Sequence, residues 1–440
     1  MIRFSVTKKF IALLIAGAVT PLLFIGSGYA VWVLVIFDAV LCGVTFLDYF
    51  ITPGADAFEI CRMTENTLRF KAKNEIVVAV KNNSGKKISM ELKDDIPSPH
   101  FEIIDEDMAK AAPAGEETEF SYTVVPAKRG SFAFGGIHAR YAGALGLCVK
   151  YFTAKLPVEM KVYPDLTDVG RHRILLRKNR ILEAGIRPLP ARGAGAEFES
   201  LRGYVSGDDY RKINWTATAR ENSPVVNEYE AEKNQPVYMM VDTGRPMSYS
   251  VRGNKKLDHA ILAALTLSDI VNLRGDNSGL IVFGTAVKSA VPPGKGPEHR
   301  RALAETLYDI EDTKETSDYE NAFRELIKMQ KRRGLVFIFT DFETQIEAED
   351  LARELPILKK RHTPVVVLME NESVKKLYAA GANDMSGAYR RGLAAEYLEN
   401  RRELIKKINR AGVFCIQTDA ERFATEAVNR YIAICSSRRI

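Results

Sequence analysis

The strongest constraint on this chain lies at its amino terminus, where "FIALLIAGAVTPLLFIG" (residues 10–26) and "AVWVLVIFDAVLCGVTFL" (residues 30–47) are almost uninterrupted apolar runs. Each approaches the roughly 20 apolar residues that crossing a hydrocarbon core requires, and with only "SGY" between them the pair reads as a transmembrane helical hairpin. A secretory signal peptide is the rival reading, because Arg3, Lys8 and Lys9 precede the first run and "GYA" imitates a cleavage site. Cleavage there would leave a second long apolar segment at the new terminus, which favours the hairpin. Arg3, Lys8 and Lys9 flank the first run and the turn carries no charge, so the positive-inside bias places residues 50–440 in the cytoplasm. Asp38 lies inside the second run, where an ionisable group is costly. It reads equally as a functional carboxyl or as a water-accessible or helix-contact group.

The five cysteines, Cys42, Cys61, Cys148, Cys415 and Cys435, are scattered and odd in number, which is no disulfide framework and fits a reducing compartment. The six histidines are dispersed without ligand spacing, so a zinc site is not expected. A net charge of +6 over 440 residues gives no case for nucleic acid.

Beyond the apolar segment (1–50), residues 60–165 read as an all-β, sandwich-like module. "EIVVAVKNNSGKKISMEL" and "EFSYTVVPAKRGSFAFGGIHARY" each place strands around a turn-forming stretch, and "LPVEMKVYP" adds a closing strand. Residues 166–235 change character. Arg171, Arg173, Arg177, Lys178 and Arg180 interleave with apolar residues as a short basic helix, either a solvated linker or a membrane or acidic-partner contact. From residue 236 to 440, apolar β-rich runs alternate with helical periodicity, which predicts a doubly wound α/β domain with its ligand crevice at the carboxyl ends of the strands. The first strand is followed by "DTGRPMSYS", which has no phosphate-loop pattern, so nucleotide binding there is not expected.

Two strands of that domain end in aspartate, Asp242 in "MMVDTGRPM" and Asp341 in "FIFTDFET". Carboxylates at neighbouring strand tips are hard oxygen donors of the kind Mg²⁺ takes. Here residues 236–435 resemble the von Willebrand factor A domain, whose metal-dependent adhesion site the resemblance maps onto Asp242, Ser317 and Asp341. Its two serine positions are Gly244 and Pro246 in this chain, so the implied Mg²⁺ site is degenerate; the other reading is that both aspartates cap helices or hold loops.

"GAEFESLRGYVSGDDYRKINWTATARENSPVVNEYE" carries a second resemblance, to the bacterial family called domain of unknown function 58, through Arg202, Asp208, Arg211, Trp215, Arg220 and Glu230 among others. With the apolar and β-rich segments before it, this resemblance reaches across nearly the whole chain. It implies a membrane-anchored cytoplasmic protein that cooperates with a MoxR-type AAA ATPase in assembling or maturing other proteins, and it gives no chemical reaction. The chain is accordingly read as an adaptor or scaffold and not an enzyme, with no cofactor, the alternative being a Mg²⁺-dependent protein-binding module. On the residues alone, Asp208, Asp209, Arg202, Arg211, Arg220 and Trp215 fit three readings. They form an Arg–carboxylate lattice stacked on Trp215, a docking surface, or a hydrolase in which Asp208 and Asp209 act as acid and base. In the lattice reading, Arg220→Ala costs about 3 kcal/mol if Arg220 is buried.

Overall fold

The stretch Ile88–Asp94 buries every second side chain, the pattern of a strand with one face on a core and one in water. The computed structural model describes residues 3–20, 29–165, 197–205, 210, 213–230, 234–381 and 384–436. It divides into two units, Met1–Asp165 and Leu166–Ile440.

The first unit holds helices α1 (Lys8–Val19) and α2 (Ala30–Ile51) and strands β1 (Arg3–Val6), β2 (Phe58–Arg62), β3 (Thr67–Arg69), β4 (Asn74–Asn82), β5 (Ile88–Asp94), β6 (Phe101–Asp107), β7 (Ala109–Ala112), β8 (Glu117–Pro126), β9 (Gly130–Phe134), β10 (Ile137–Ala142), β11 (Cys148–Ala154) and β12 (Val158–Tyr163). These strands form sheets ordered β1-β11-β10-β5-β7, β2-β4-β8-β6 and β3-β12-β9. Val78, Phe120 and Tyr122 from one sheet, Leu92, Ile137 and Tyr141 from another, and Met160 and Val162 from the third meet in a single core. Arg62 locks this core edge: its guanidinium takes both oxygens of Asp94, at 2.9 and 2.5 Å, in the bidentate geometry that suits a carboxylate.

The apolar segment does not stand apart from this module. β1 pairs antiparallel with β11, so the chain starts as an edge strand and then enters α1. On α2, Leu41, Thr45, Asp48 and Thr52 form one buried stripe at helical spacing, while Trp32, Ile36, Val40, Phe46 and Phe50 on other faces are exposed. Exposed apolar side chains around most of a helix mark a lipid-facing one. The segment Val31–Ala57 is long and apolar enough to cross a membrane. α1 has 12 residues, about 18 Å at the helical rise, against the ~30 Å of a hydrocarbon core. One crossing is therefore supported among the described residues, rather than two equal spans; residues 21–28 lie outside them. Gly17 of α1 sits against the ring of Phe37 of α2, where a Cβ would collide with it.

The base of α2 is tied to the sandwich by a buried carboxylate. Asp48 accepts the backbone N–H groups of Leu145 at 2.7 Å, Leu147 at 2.9 Å and Cys148 at 3.1 Å. Gly143 passes so close to this carboxylate that a Cβ would strike it. Thr7, which caps α1, donates its backbone N–H to Leu147 O and its hydroxyl to Gly146 O. The start of α1 and the end of α2 thus grip one loop, residues 143–148.

The second unit contains β13 (Glu197–Gly203), α3 (Trp215–Glu221), β14 (Val225–Glu230), β15 (Pro236–Asp242), a two-residue ladder of β16 (Ser250–Val251) and β17 (Asn254–Lys255), α4 (Lys256–Leu273), β18 (Asn277–Phe283), β19 (Val287–Gly294), α5 (Pro297–Leu307), α6 (Tyr319–Met329), β20 (Leu335–Phe339), α7 (Gln345–Arg361), β21 (Thr363–Met369), α8 (Glu372–Ala379), α9 (Met385–Arg410), β22 (Phe414–Thr418) and α10 (Phe423–Ser436). The large sheet runs β19-β18-β15-β20-β21-β22, parallel except for β19 at the edge. Its strands are buried on both faces: Val237, Met239 and Val241 meet α4 and α10 on one side, and Tyr238 and Met240 meet α6 and α7 on the other. This is a mixed α/β unit wound on both sides of its sheet. The chain proceeds outward from β15 through β18 and β19, then resumes on the opposite side at β20, so the crevice between β15 and β20 is the place where such sheets hold ligands.

Candidate functional site

The signature around residues 197–230 folds as an antiparallel β13–β14 ladder with α3 in its connection. Asn214 caps α3 by accepting the N–H of Ala217 at 3.0 Å and donates to Asn227 of β14 at 2.9 Å. Val225 and Val226 are the buried anchors. Trp215, at the first turn of α3, is 70% exposed, and Arg220 in the last turn is also exposed, so the condition for a 3 kcal/mol burial cost at Arg220 is not met. Arg202 is half-buried and donates to Gly203 O at 3.2 Å. Glu230 ends β14 opposite Glu197. Asp208, Asp209 and Arg211, together with the basic stretch 171–180, lie outside the described residues.

The strand ends of the large sheet assemble a different cluster. Asp242, at the tip of β15, is 1% exposed and accepts four donors: the N–H of Gly244 at 2.8 Å, the hydroxyl of Thr340 at 2.5 Å, that of Tyr319 at 3.3 Å, and that of Ser317 in a short contact. An ionised carboxylate offers about four lone-pair sites, and protein donors take them all. Gly244 is part of this packing, since a Cβ there would collide with Ser317 Oγ; the glycine that departs from the adhesion-site pattern makes room for the serine that reaches Asp242. Burial pushes the Asp242 carboxyl above its ordinary range, against the opposing effect of those hydrogen bonds. Burial likewise drives the Tyr319 hydroxyl well above its usual value, reinforced by the Asp242 charge.

Asp341 follows Thr340 and is fully buried. Its Oδ2 takes the Lys256 ammonium at 2.6 Å, and its Oδ1 takes the Arg401 guanidinium at 2.5 Å and the Phe342 N–H at 2.9 Å. Lys256 also reaches Glu343 Oε1 at 2.5 Å, and Tyr397 donates to Glu343 Oε2 at 2.7 Å. Burial alone would lower the Lys256 pKa, but the carboxylates of Asp341 and Glu343 outweigh it and hold the ammonium above its ordinary value. Arg401 behaves in the same way, with burial overcome chiefly by Asp341. Nearby, Glu347 accepts the N–H groups of Glu343 and Thr344 and the Arg245 guanidinium, fixing the turn after β20.

The structure therefore brings Asp242, Ser317 and Asp341 into one polar layer, but not as a vacant oxygen cage. Asp242 is saturated by hydroxyls and an amide, and Asp341 already holds two protein cations. A Mg²⁺ ion would have to displace these partners, so the residues present do not fit the metal that the adhesion-site resemblance implies. Among the described residues no group of three or more His, Cys, Asp or Glu is arranged to hold one. Lys256, Arg401, Glu343 and Thr340 are the members that sequence reasoning missed. Lys256 opens a helix and Arg401 sits in the middle of a long charged one, so both read as ordinary surface positions.

Beside this layer opens a cleft of about 450 Å³ lined by Tyr249, Arg252, Lys256, Glu343, Glu372 and Lys376, among others. Its walls come from the connections after β15, β20 and β21. Arg252 pairs with Glu372 at 2.8 Å and makes a short contact with Glu421. The half-buried thiol of Cys415 in β22 is pushed up to about 12, chiefly by desolvation, away from any nucleophilic form.

Curated relatives include the uncharacterized proteins Mb1516 of Mycobacterium bovis and Rv1480 of Mycobacterium tuberculosis, each 25% identical over 177 residues, 40% of this chain and 55% of theirs. The chain thus spans about half the length of these relatives. Among solved structures, the conserved hypothetical protein BatB from Bacteroides thetaiotaomicron overlaps 46% of this chain and 100% of its own at 15% identity and a TM-score of 0.31. WR4, a C. elegans MSP family member, overlaps 25% of this chain and 98% of its own at 9% identity and a TM-score of 0.16. Narrower than the near-complete reach read from the sequence, the family match covers residues 200–410, the signature and most of the α/β unit, and the matching model is described as Protein of unknown function DUF58.

Proposed function

We propose that this protein is a membrane-anchored adaptor that recognises other proteins through the cleft at the strand ends of its α/β unit, a degenerate von Willebrand A-like module. The observation that carries this reading is the cleft itself. It lies beside a layer in which Asp242 is held by hydroxyls and an amide and Asp341 by Lys256, Arg401 and an amide, so each of these acids already has its donors. Such a site is built to bind rather than to transform. The strand order, with its one antiparallel edge, supports the von Willebrand A-like assignment. The apolar segment anchors the chain with α2 as its spanning helix and α1 opening the first arm of a hairpin, and with Arg3, Lys8 and Lys9 on the flank and no charge in the turn this pairing supports a cytoplasmic α/β unit. The domain of unknown function 58 resemblance adds a MoxR-type AAA ATPase as the partner class.

The test is affinity capture of the full chain from solubilised membranes, comparing wild type with an Arg252→Glu, Lys376→Glu double variant at the cleft rim. The reading expects an AAA ATPase among the wild-type partners and its loss from the variant. Identical partners for both would overturn the cleft as the recognition surface. The exposed Trp215 supports a second contact on α3, and a Trp215→Ala variant in the same capture separates the two.

A further inference from the structure

The two carboxylates on Lys256 are not equivalent. Asp341 is fully buried and held from its other side by Arg401 and the Phe342 N–H, so separating it from Lys256 would break an entire ion-pair network. Glu343 is 20% exposed at its side chain, lines the open cleft and, among the described residues, its carboxylate is otherwise fastened only by the Tyr397 hydroxyl at 2.7 Å. Swinging Glu343 outward leaves Lys256 paired with Asp341 and still carrying N–H groups directed at the vacated place, since an ammonium has three. The group that already fits there is a carboxylate. Lys376 adds positive charge at the cleft wall, whereas Arg252 there is already paired with Glu372 and Glu421, so the charge that favours an acidic visitor is that of Lys256 and Lys376.

We propose that this cleft is a carboxylate-binding site in which the Lys256 ammonium is the resident cation, and that an acidic side chain of a protein partner enters by displacing Glu343, without a divalent metal. This deepens the reading of the α/β unit as a recognition module and rests on it. Glu343 then acts as a built-in competitor: the site is occupied by the chain's own carboxylate until a better-placed one arrives. The saturation of Asp242 and Asp341 by protein donors supports the same conclusion, because the positive charge that a bound ion would bring is supplied by Lys256 and Arg401.

The test uses the full chain in detergent and two peptides displayed on a sensor surface, Gly-Gly-Glu-Gly-Gly and its glutamine counterpart. The glutamate peptide is expected to retain the protein and the glutamine peptide not, with retention unchanged by a chelator. Glu343→Gln, which removes the competitor, is expected to strengthen retention about tenfold by abolishing the opening cost, whereas Lys256→Gln abolishes retention. Since Lys256→Gln removes one of the two cations on buried Asp341, Glu343→Gln carries the test if that variant does not fold. Equal retention of both peptides, retention that requires Mg²⁺, no gain in Glu343→Gln, or no retention by either protein would each overturn the proposal. These outcomes are independent of the membrane capture, in which partners can depend on the cleft without a carboxylate being what it reads.

Discussion

Asp48 in the first unit and Asp341 in the second are both sealed from solvent, yet they are satisfied by different chemistry. Asp48 takes three backbone N–H groups from one loop and fastens a membrane-apolar helix to a β-sandwich. Its three amide donors come from one loop, with the Cys148 thiol and the buried Lys150 ammonium close by, and none of them is shared with a carboxylate at an open cleft. Asp341 takes a lysine and an arginine, and that lysine is shared with a carboxylate facing an open cleft. A buried acid is thus an anchor where its donors are fixed amides, and part of a responsive site where its donors are side chains with a second partner at the surface.

The largest expected effect comes from breaking the second of these. Asp341→Ala leaves Arg401 buried without its counter-charge and Lys256 with Glu343 alone, and is expected to cost about 3–5 kcal/mol, read by urea denaturation of the full chain in detergent followed by circular dichroism. Asp48→Ala leaves buried amides without acceptors and takes a nearby carboxylate from buried Lys150, which keeps the Thr52 carbonyl and the Tyr49 ring, so a smaller loss of about 2 kcal/mol is expected. It should appear as faster hydrogen exchange in residues 143–148, with the strands of the large sheet unaffected. A loss at Asp48 equal to that at Asp341 would break the comparison.

A smaller, pH-dependent term distinguishes the second unit. His362 is fully buried, and neither ring nitrogen has a partner among the described residues. Burial, with Arg333 and Arg361 nearby, lowers its pKa below 6.5. The unfolded chain therefore takes up a proton first as pH falls through 6.5, and the folded state loses stability from there down to the depressed folded pKa. Urea midpoints are expected to drop on acidification less steeply in His362→Leu than in wild type. The smallest effects belong to α3: Trp215→Ala and Arg220→Ala are exposed substitutions and should change stability by no more than about 0.5 kcal/mol.

The α/β unit was legible because strands buried on both faces, such as "PVYMMVD" and "GLVFIFTDF", read as continuous apolar runs between helical patterns. β19 was not, since it is a half-exposed edge strand that ends in Pro292 and Pro293, residues tolerated at an edge but atypical of a strand. β1 was hidden for another reason: "RFSV" precedes an apolar run and reads as its polar flank, and only its pairing with β11 makes it a strand. At the site, the strand-tip aspartates were visible because each closes an apolar run. Their partners were not, since Lys256 lies 85 positions from Asp341 and Arg401 lies 60, and nothing local marks a charged helix residue that will be buried by tertiary contact.

The strand-end acids are satisfied by the protein's own donors and cations. The most direct test of this is calorimetric titration of the full chain in detergent with Mg²⁺ at millimolar concentration, alongside an Asp242→Asn variant. No saturable heat and no change in melting temperature are expected for the wild type. Saturable Mg²⁺ binding that raises the melting temperature and disappears in Asp242→Asn would contradict this.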